Sequence, residues 1–434
     1  MNSYVRTIKF LYSLQVRGMK FGLRGIRALL RALGHPEHQF PSLHIAGTNG
    51  KGSTAALIAS ILTAAGYKTG LYTSPHVIDF TERIRINGKP IARRDVVRHL
   101  RVLRPLVQRH RTTFFETVTA MAFRHFAEQK VDIAVIETGL GGRLDATNVL
   151  KPLVSVITNI GLEHTEILGR TIPSIAFEKA GIIKPFTPCV TGERSAEALQ
   201  VFRTIARKRK APLIVVRSWS TIKRSSIHGT RFDLRVGKMA YRNLLLSLAG
   251  DHQIGNAALA IATINLLNRH NQFSLSENAV REGLKDVARY SGIQARLSVV
   301  HTKPLMIADV AHNPDAISAL VTSLQNLRIR NVVLLFGVSR DKDYLTMVDR
   351  LKPIVDRAVV VAAHTERARP ENDLKQAFVR VGIPADTERN VRKGVIRAGA
   401  LAQKGQAVLI TGSHFVVGEA LAFLHRKKYL TINQ

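Results

Sequence analysis

The chain has 434 residues, 45% of them hydrophobic, so it can bury a large core, and its length predicts two or three domains. The single cysteine, Cys189, excludes an intrachain disulfide framework and predicts a reducing compartment, for which the cytoplasm is the default. The first 30 residues interleave basic with apolar side chains, which excludes an uninterrupted signal peptide or membrane span there. We therefore expect a globular cytoplasmic protein with no membrane partner.

The 64 basic and 31 acidic side chains give a formal net charge of +33, which makes nucleic-acid binding a serious alternative to small-molecule chemistry. The charge is densest between residues 203 and 238, where Arg207 to Lys210 are all basic. That run contains few aromatic side chains and no zinc-binding spacing. A solvated basic face is therefore preferred over a dedicated nucleic-acid site, and attraction of anionic small substrates stays open as a third role.

Strand-like and helical segments alternate along the first half of the chain, which predicts an α/β fold with a mostly parallel sheet. The strand-like runs span residues 43–46, 69–72, 133–137, 154–159 and 190–191, and a helix rich in Ala, Leu and Ile is predicted over residues 53–65. At residues 219–248 the pattern changes to short alternating segments with glycine turns, which predicts a small antiparallel addition.

The second half repeats the α/β pattern after a helix predicted over residues 255–267 and a joint predicted over residues 283–296. Runs rich in Val, Ile and Leu at residues 305–309, 332–336, 358–362 and 407–411 predict a second parallel sheet. The sequence contains no repeat of fixed period and no low-complexity linker between the halves. We therefore expect the two halves to pack closely.

A glycine-rich loop, residues 44–53 (HIAGTNGKGS), joins the first predicted strand to the first predicted helix. Its glycines let backbone N–H groups face a polyanion, the helix N-terminus adds positive potential, and Lys51 supplies a mobile charge. The loop departs from the usual phosphate-binding pattern, because Ile45 stands at the first glycine position and Gly52 separates Lys51 from Ser53. A tight turn is the simpler alternative, but the lysine favours a phosphate site.

Polar side chains follow three neighbouring strands of the predicted first sheet: Ser74, Glu137 and His164. Because ligands bind at the carboxyl ends of parallel strands, we expect these side chains to converge on the loop. Oxygen donors beside a phosphate loop suit Mg²⁺. Taken singly, Ser74 is typical of a turn, Glu137 of a solvent-facing strand end and His164 of a structural histidine. Their convergence favours a metal site.

Further candidates lie later in the chain. Lys179 closes a predicted helix and is, on its own, most simply a surface or helix-capping lysine. Asp309 and His312 end a strand of the second half in an acid and an imidazole. Arg296, shortly before that strand, is placed to reach phosphate across the joint.

Six motifs, in this order along the chain, resemble the folylpolyglutamate synthase/dihydrofolate synthase family of the Mur ligases. They are GTNGKGS (47–53), YTSPH (72–76), FE (115–116), ETGLGGRLDATN (137–148), EKAG (178–181) and AHNP (311–314). The resemblance runs from about residue 20 to about residue 418. It explains Gly52, since this superfamily uses a shortened phosphate loop with a residue inserted after the lysine.

The resemblance implies a P-loop-type ATPase domain with a mostly parallel sheet at residues 1–289 and a smaller α/β glutamate-ligase domain at residues 290–434. It also implies an ATP-dependent amide ligase. ATP phosphorylates a pteridine-bearing carboxylate, and the amine of L-glutamate attacks the acyl phosphate through a tetrahedral intermediate. Phosphorylation is needed because a carboxylate is a poor electrophile, and cations and backbone donors neutralise the charge on the transferring phosphoryl group.

The resemblance also assigns roles to particular residues. The ATP contacts are Thr48, Asn49, Gly50, Lys51, Gly52, Ser53, Asn256, Arg296 and Asp309. Ligands for one or two Mg²⁺ ions are Ser74, Glu137 and His164. The catalytic residues are Lys51, Lys179 as its carbamate, Asp309 and His312. The pterin-side contacts are Thr113, Phe114, Phe115, Glu116 and Leu144.

Two departures from the family pattern stand out. Gln294-Ala295-Arg296 replaces the usual Pro-Gly-Arg, and His414 stands where an apolar residue is common. Several alternatives stay open: one folate activity or both, decided by the pocket near Phe21, Phe115 and Leu144, a related ligase for another carboxylate, or a nucleic-acid-binding protein without catalysis. The partners we expect are dihydropteroate or folate, L-glutamate and ATP, on a monomer with no dedicated nucleic-acid site.

Overall fold

A mostly parallel sheet organises the first half of the chain in the computed structural model, which describes residues 3–18, 22–269 and 272–429. Its strands are β1 (Ser42–Ala46), β2 (Thr69–Tyr72), β3 (Ile84–Ile86), β4 (Lys89–Pro90), β5 (Ile133–Glu137), β6 (Val154–Ile157), β7 (Cys189–Thr191) and β8 (Leu213–Val215). They lie in the order β4-β3-β2-β5-β1-β6-β7-β8, and β1 pairs in parallel with both β5 and β6. The predicted parallel sheet is confirmed, with antiparallel pairing where β3 joins β2 and β4.

Helices cover both faces of this sheet because its central strands are apolar on both sides. Along β5, Ile133 and Val135 belong to one core cluster, and Ala134 and Ile136 belong to another on the opposite face. The helices of this half are α1 (Ser3–Ser13), α2 (Arg24–Ala32), α3 (Lys51–Ala64), α4 (Arg93–His110), α5 (Phe114–Glu128), α6 (Thr165–Leu168), α7 (Ile172–Ala180), α8 (Ala196–Lys208), α9 (His252–Leu267), α10 (Glu277–Lys285) and α11 (Val287–Ser291). The first cluster includes α3 and α9, and the second includes α2, α4 and α5.

The predicted antiparallel addition is a small sheet between β8 and α9. Its strands are β9 (Ser218–Ser226), β10 (Gly229–Val236) and β11 (Met239–Leu246), in the order β11-β10-β9. Alternation along β10 buries Phe232, Leu234 and Val236 in the same core cluster as α9. The helix predicted over residues 255–267 is α9, and it begins earlier than predicted, at His252.

A second α/β half follows. Its strands are β12 (Ser298–Thr302), β13 (Leu305–Ala308), β14 (Val332–Phe336), β15 (Val355–Val361), β16 (Ala385–Glu388) and β17 (Val408–Thr411), in the order β12-β13-β17-β14-β15-β16. Its helices are α12 (Pro314–Asn326), α13 (Tyr344–Leu351), α14 (Glu371–Arg380), α15 (Val391–Leu401) and α16 (His414–Leu424). The predicted parallel sheet is confirmed, because β17 pairs in parallel with β13 and β14, and β15 pairs in parallel with β14 and β16. Strand β12 pairs antiparallel with β13.

The predicted domain boundary at residues 289/290 falls inside α11. Both α10 and α11 pack against α3, and Val287 belongs to the core cluster of the first half. A division after Ser291, before the second sheet starts at Ser298, would keep that helix intact. The division into residues 1–289 and 290–434 therefore stays a prediction. The packing of α11 on α3 favours a boundary a few residues later.

The two halves pack against each other through an apolar contact. Val77 and Ile78, which follow β2, lie in one core cluster with Val416 and Val417 of α16. A Cβ at Gly418 would overlap the carbonyl oxygen of Val77, so the backbones of the two halves approach closely there. Across residues 3–18, 22–269 and 272–429, no helix has the length and apolar character that a membrane span requires.

Candidate active site

The phosphate loop lies between β1 and α3, and its shape depends on two glycines. Gly47 and Gly50 have φ values of 150° and 79°, in the region that favours glycine. A Cβ at Gly47 would overlap the hydroxyl of Thr158, which donates to the carbonyl oxygen of Asn49 at 2.7 Å. The loop is therefore held against the end of β6, as the prediction of convergence at this sheet edge requires.

Helix α3 begins at Lys51 and not, as predicted, at Ser53. Its first intrahelical hydrogen bond runs from the Thr54 N–H to the Gly50 carbonyl oxygen at 2.8 Å. The N–H groups of Lys51, Gly52 and Ser53 precede that bond and lie at the positive end of the helix. The inserted Gly52 thus belongs to the first helical turn, where its backbone N–H is a donor for an anion.

Two lysine amines meet at one carbonyl oxygen of the loop. Lys51 Nζ donates to Gly47 O at 3.0 Å and to Thr48 O at 2.9 Å, and Lys179 Nζ donates to Gly47 O at 2.7 Å. Lys179 is buried, so the simple interpretation of it as a surface lysine is wrong. Burial, and then the charge of Lys51, lower the pKa of Lys179 to about 7. A buried amine next to a second amine is poorly stabilised as a cation.

Glu137 is buried at the end of β5, so the alternative that it faces solvent is wrong. Its Oε2 accepts a hydrogen bond from the backbone N–H of Ser74 at 3.1 Å. Burial raises the pKa of the Glu137 carboxyl, against the opposing charges of Lys51, Arg296 and Arg83. The Glu137 carboxylate therefore lies between the Ser74 backbone and the start of α3, beside the phosphate loop.

His164 lies on the side of the loop that faces the second half of the protein. Burial lowers its pKa to about 4, and the charges of Lys342 and Lys51 act in the same direction. Lys51 is thus an electrostatic neighbour of both Glu137 and His164. The structure brings the Ser74 backbone N–H into direct contact with Glu137.

Arg296, Asp309 and Asn256 complete the predicted nucleotide side. Arg296 Nη2 lies 3.2 Å from the position that a Cβ on Gly52 would occupy, which places the guanidinium at the start of α3. Asp309 accepts backbone hydrogen bonds from Leu297 and Ala311, both at 2.8 Å. Its carboxylate therefore orders the turns next to Arg296 and His312.

Asn256 packs directly on the phosphate loop from α9. Its Oδ1 would lie 2.6 Å from a Cβ on Gly50, and it accepts a hydrogen bond from Thr54 Oγ1 at 3.5 Å. The Nδ2 group donates to Gln253 Oε1 at 2.9 Å. Asn256 is therefore fixed against the loop that is predicted to hold ATP.

The predicted pterin-side residues lie at the start of α5 and behind Glu137. Thr113 and Glu116 form a reciprocal helix cap, in which Glu116 Oε2 accepts from the Thr113 N–H at 2.8 Å. Phe115 packs so closely on Gly139 that a Cβ there would overlap its ring. Leu144 is half-buried, and Phe21 lies outside the described residues. Phe115 is thus placed against the loop that follows Glu137.

Comparison with known proteins agrees with this arrangement. The model of the Mur ligase middle domain matches residues 45–264, and that of the Mur ligase glutamate ligase domain matches residues 295–414. A dihydrofolate synthase/folylpolyglutamate synthase of Bacillus subtilis is 40% identical over 370 residues, which cover 83% of this chain and 85% of that protein. This chain belongs to the dihydrofolate synthase/folylpolyglutamate synthase family of Mur ligases.

Two solved structures are similar over almost the whole chain. The Mycobacterium tuberculosis folylpolyglutamate synthase complexed with ADP and AMPPCP is 33% identical, has a TM-score of 0.89, and the match covers 98% of this chain and 100% of that chain. Escherichia coli FolC in complex with DHPP and ADP is 29% identical, has a TM-score of 0.86, and the match covers 97% of this chain and 98% of that chain. The expected family and fold class are therefore confirmed.

In this member of the family, sequence reasoning missed Glu163. Its Oε1 lies 3.2 Å from Lys342 Nζ and 3.2 Å from His312 Nε2, so it joins the end of β6 to the second half. Burial alone would raise the pKa of Glu163, but the hydrogen bond from His312 and the charges of His312 and Lys342 hold it well below its usual range. The sequence feature that could have identified Glu163 is its position directly before the predicted metal ligand His164.

A second missed group surrounds Phe114. Tyr12 stacks on the Phe114 ring with centroids 5.3 Å apart, and its hydroxyl lies 3.2 Å from His76 Nε2. Arg83 Nε donates to His76 Nδ1 at 3.0 Å. His76 ends the YTSPH motif, which was the signal available in the sequence.

The basic run contributes to a cavity away from the phosphate loop. The cavity has a volume of about 500 Å³ and is lined by Arg143, Phe177, Gly181, Pro185, Phe186, Ile205, Lys208, Arg209 and Lys210. Arg143 is the neighbour of Leu144 in the sequence, so the cavity adjoins the outer side of a predicted substrate loop. The basic run therefore lies at a surface cavity whose lining includes none of the residues of the phosphate loop.

Proposed function

We propose that the protein joins L-glutamate to dihydropteroate and to folylpolyglutamates in an ATP-dependent reaction. One observation carries this proposal. The phosphate loop, Glu137 with the Ser74 backbone, and Arg296 from the second half all meet at the carboxyl edge of the first sheet. The acceptor carboxylate attacks the γ-phosphorus of ATP, which releases ADP and forms an acyl phosphate. The amine of glutamate then attacks the acyl carbon, and the tetrahedral intermediate releases phosphate and a proton.

The chain's own residues support these steps by position and charge. Lys51 would exchange its bonds to the Gly47 and Thr48 carbonyl oxygens for phosphate oxygens, while the N–H groups of the first turn of α3 donate to the same anion. Arg296 adds a fixed cation at that turn. Asp309 acts as a positioning residue through the Leu297 and Ala311 N–H groups.

Ser74, Glu137 and His164 are the residues that we propose for Mg²⁺. Glu137 fits this role, because it is a buried carboxylate among cations that favour its charged form, and the backbone N–H of Ser74 holds one of its oxygens in place. Mg²⁺ prefers such oxygen donors and shares its coordination with substrate phosphates. When bound, the ion would neutralise the phosphate charge that builds up during transfer.

We also propose that Lys179 carries a carbamate. Its amine is buried 2.7 Å from Gly47 O, and the lowered pKa leaves a substantial neutral fraction near pH 7. A neutral amine attacks CO₂ and loses one proton to give the N-carboxylate. That change converts a cation next to Lys51 into an anion, which would relieve the repulsion between the two amines.

The central experiment follows products by mass with dihydropteroate or tetrahydrofolate as the acceptor, together with ATP, Mg²⁺ and L-glutamate. We expect one glutamate to be added to dihydropteroate and one or more to the folate, with phosphate release only when acceptor and glutamate are both present. Lys51→Ala should abolish turnover while the circular dichroism spectrum stays unchanged. If glutamate is added to tetrahydrofolate alone, the protein has only the folylpolyglutamate synthase activity. If glutamate is added to neither dihydropteroate nor tetrahydrofolate, the proposal is refuted. Light scattering of the purified protein tests the expected monomer.

A further inference from the structure

A short turn between α2 and β1 brings two histidines and one glutamate together. His35 Nδ1 lies 3.0 Å from Glu37 Oε1, and His38 Nε2 lies 3.7 Å from the same oxygen. The two imidazole rings are nearly parallel, with an interplanar angle of 5° and centroids 5.3 Å apart. One donor atom from each residue can be chosen so that all three lie within 4.8 Å of one another.

Glu37 is unusual in this cluster because its carboxylate is buried. Its side chain is 5% exposed, whereas those of His35 and His38 are 48% and 57% exposed. The second carboxylate oxygen, Oε2, is buried without a hydrogen-bond partner. A buried oxygen without a partner is costly, and a water molecule or an ion bound to the carboxylate would satisfy it. The exposed histidines leave the cluster open to solvent.

We propose that His35, Glu37 and His38 bind a late first-row divalent metal ion, with Zn²⁺ as the best fit. Ligand bonds of about 2.1 Å in a tetrahedral arrangement separate two donor atoms by about 3.4 Å. The observed separations of 3.0 and 3.7 Å bracket that value. Imidazole nitrogens select such ions over Mg²⁺ and Ca²⁺. A water molecule completes the coordination on the solvent side.

The site is separate from the proposed ligase chemistry. It precedes β1, whose opposite end leads into the phosphate loop, so a full strand lies between the two sites. Its three ligands lie within four residues of sequence, next to Phe40, which packs on Phe123 and Phe126 of α5. The bound ion therefore fixes the turn that connects α2 to the central strand, and it stabilises the folded chain by mass action.

The test is a calorimetric titration of tag-free, chelator-treated protein with Zn²⁺ in excess Mg²⁺. We expect one tightly bound Zn²⁺, and a loss of affinity of at least about 100-fold in His35→Ala/His38→Ala. Glu137→Gln is the matched control, because it alters the proposed Mg²⁺ site and leaves the turn intact. Tight binding that survives the histidine substitutions, disappears in Glu137→Gln, or is absent from the original protein would overturn the proposal.

Two further measurements separate loss of the site from loss of the fold. The effect of Zn²⁺ is compared within each protein, because removing the histidines also removes the partners of the buried Glu37 carboxylate and changes the metal-free stability. Added Zn²⁺ should raise the melting temperature of the original protein and of Glu137→Gln, and leave that of the double variant where it is in excess chelator. If the double variant does not fold, the single change Glu37→Gln, which keeps the side-chain shape, takes its place. Unchanged Zn²⁺ affinity in a folded Glu37→Gln protein would also overturn the proposal. An ion pair between Glu37 and His35 without metal is the outcome expected in that case.

Discussion

Replacing Gly52 with alanine should separate the activity of the protein from its stability. Gly52 lies in the first turn of α3 and does not have a left-handed φ, so alanine fits its backbone. The added Cβ would lie 3.2 Å from Arg296 Nη2 and 3.6 and 3.7 Å from the two carboxylate oxygens of Glu137. Ordinary contacts of this kind are 3.4–4 Å, so the guanidinium group must move by a few tenths of an ångström.

The two expected effects have opposite signs. Alanine is more favourable than glycine in a helix by up to about 1 kcal/mol, so the free energy of unfolding should rise slightly in Gly52→Ala. A hydrogen bond to a charged group contributes about 1.5–3 kcal/mol, and loss of half of that at Arg296 costs about 0.8–1.5 kcal/mol in the transition state. That range corresponds to about a 4- to 13-fold lower kcat/KM.

The assay is glutamate ligation under limiting ATP, paired with thermal unfolding. Gly255→Ala in α9 is the matched control, because a Cβ there meets nothing within 4 Å, and its kcat/KM should stay unchanged. In the Arg296→Ala background, Gly52→Ala should have no further effect on the rate, since the affected group is gone. An equal rate loss in both backgrounds, or a lower melting temperature for Gly52→Ala, would refute this reasoning.

Three other predictions concern stability and charge. Burial lowers the pKa of His44 to about 3, below its unfolded value of about 6.5, so the unfolded chain binds more protons and stability falls as the pH drops from 6.5 towards 3. His44→Gln should reduce the slope of unfolding free energy against pH by about 1.4 kcal/mol per pH unit in urea titrations, and an unchanged slope would contradict this. Glu163→Gln removes one of the two carboxylates that pair with Lys342, the other being Asp341 at 3.4 Å, and should cost about 1–2 kcal/mol, partly recovered by adding Lys342→Met; a loss within error would show that the pair is solvated. Lys208 and Lys210 line the surface cavity and not the phosphate loop, so the double variant Lys208→Glu/Lys210→Glu should change kcat by less than about twofold while its retention on heparin drops. A large fall in kcat would show that the basic run takes part in the reaction.

The mostly parallel sheet and the phosphate loop were predictable because their signals are local. Runs of Val, Ile and Leu mark strands that are buried on both faces, and the side chains that follow them meet at one sheet edge. Glu137 is an example, because its position at the carboxyl end of β5 was enough to predict that it lies near the loop. The start of α3 was less predictable, because only the three-dimensional turn shows that Lys51 and Gly52 are already helical.

The roles of Lys179, Glu163 and Asp309 depended on contacts that sequence spacing does not contain. Lys179 resembles a helix-capping lysine until its amine is seen 2.7 Å from Gly47 O, a residue 132 positions earlier. Glu163 meets Lys342 across 179 positions, through the packing of two domains. Asp309 looks like a ligand at a strand end, but both of its oxygens accept backbone N–H groups. The local sequence gives no information about these partners.

Contacts between the two halves use Asn49, which is predicted to hold phosphate, and Glu163 of the segment after β6. Asn313 Nδ2 donates to Asn49 Oδ1 at 3.0 Å, and Glu163 pairs with both Lys342 and His312. If a nucleotide binds the loop as proposed, Lys51 exchanges its bonds to the Gly47 and Thr48 carbonyl oxygens for bonds to phosphate. Because Asn49 of the same loop contacts Asn313 of the second half, nucleotide binding and domain packing should then be coupled, and a coupling free energy acts equally in both directions.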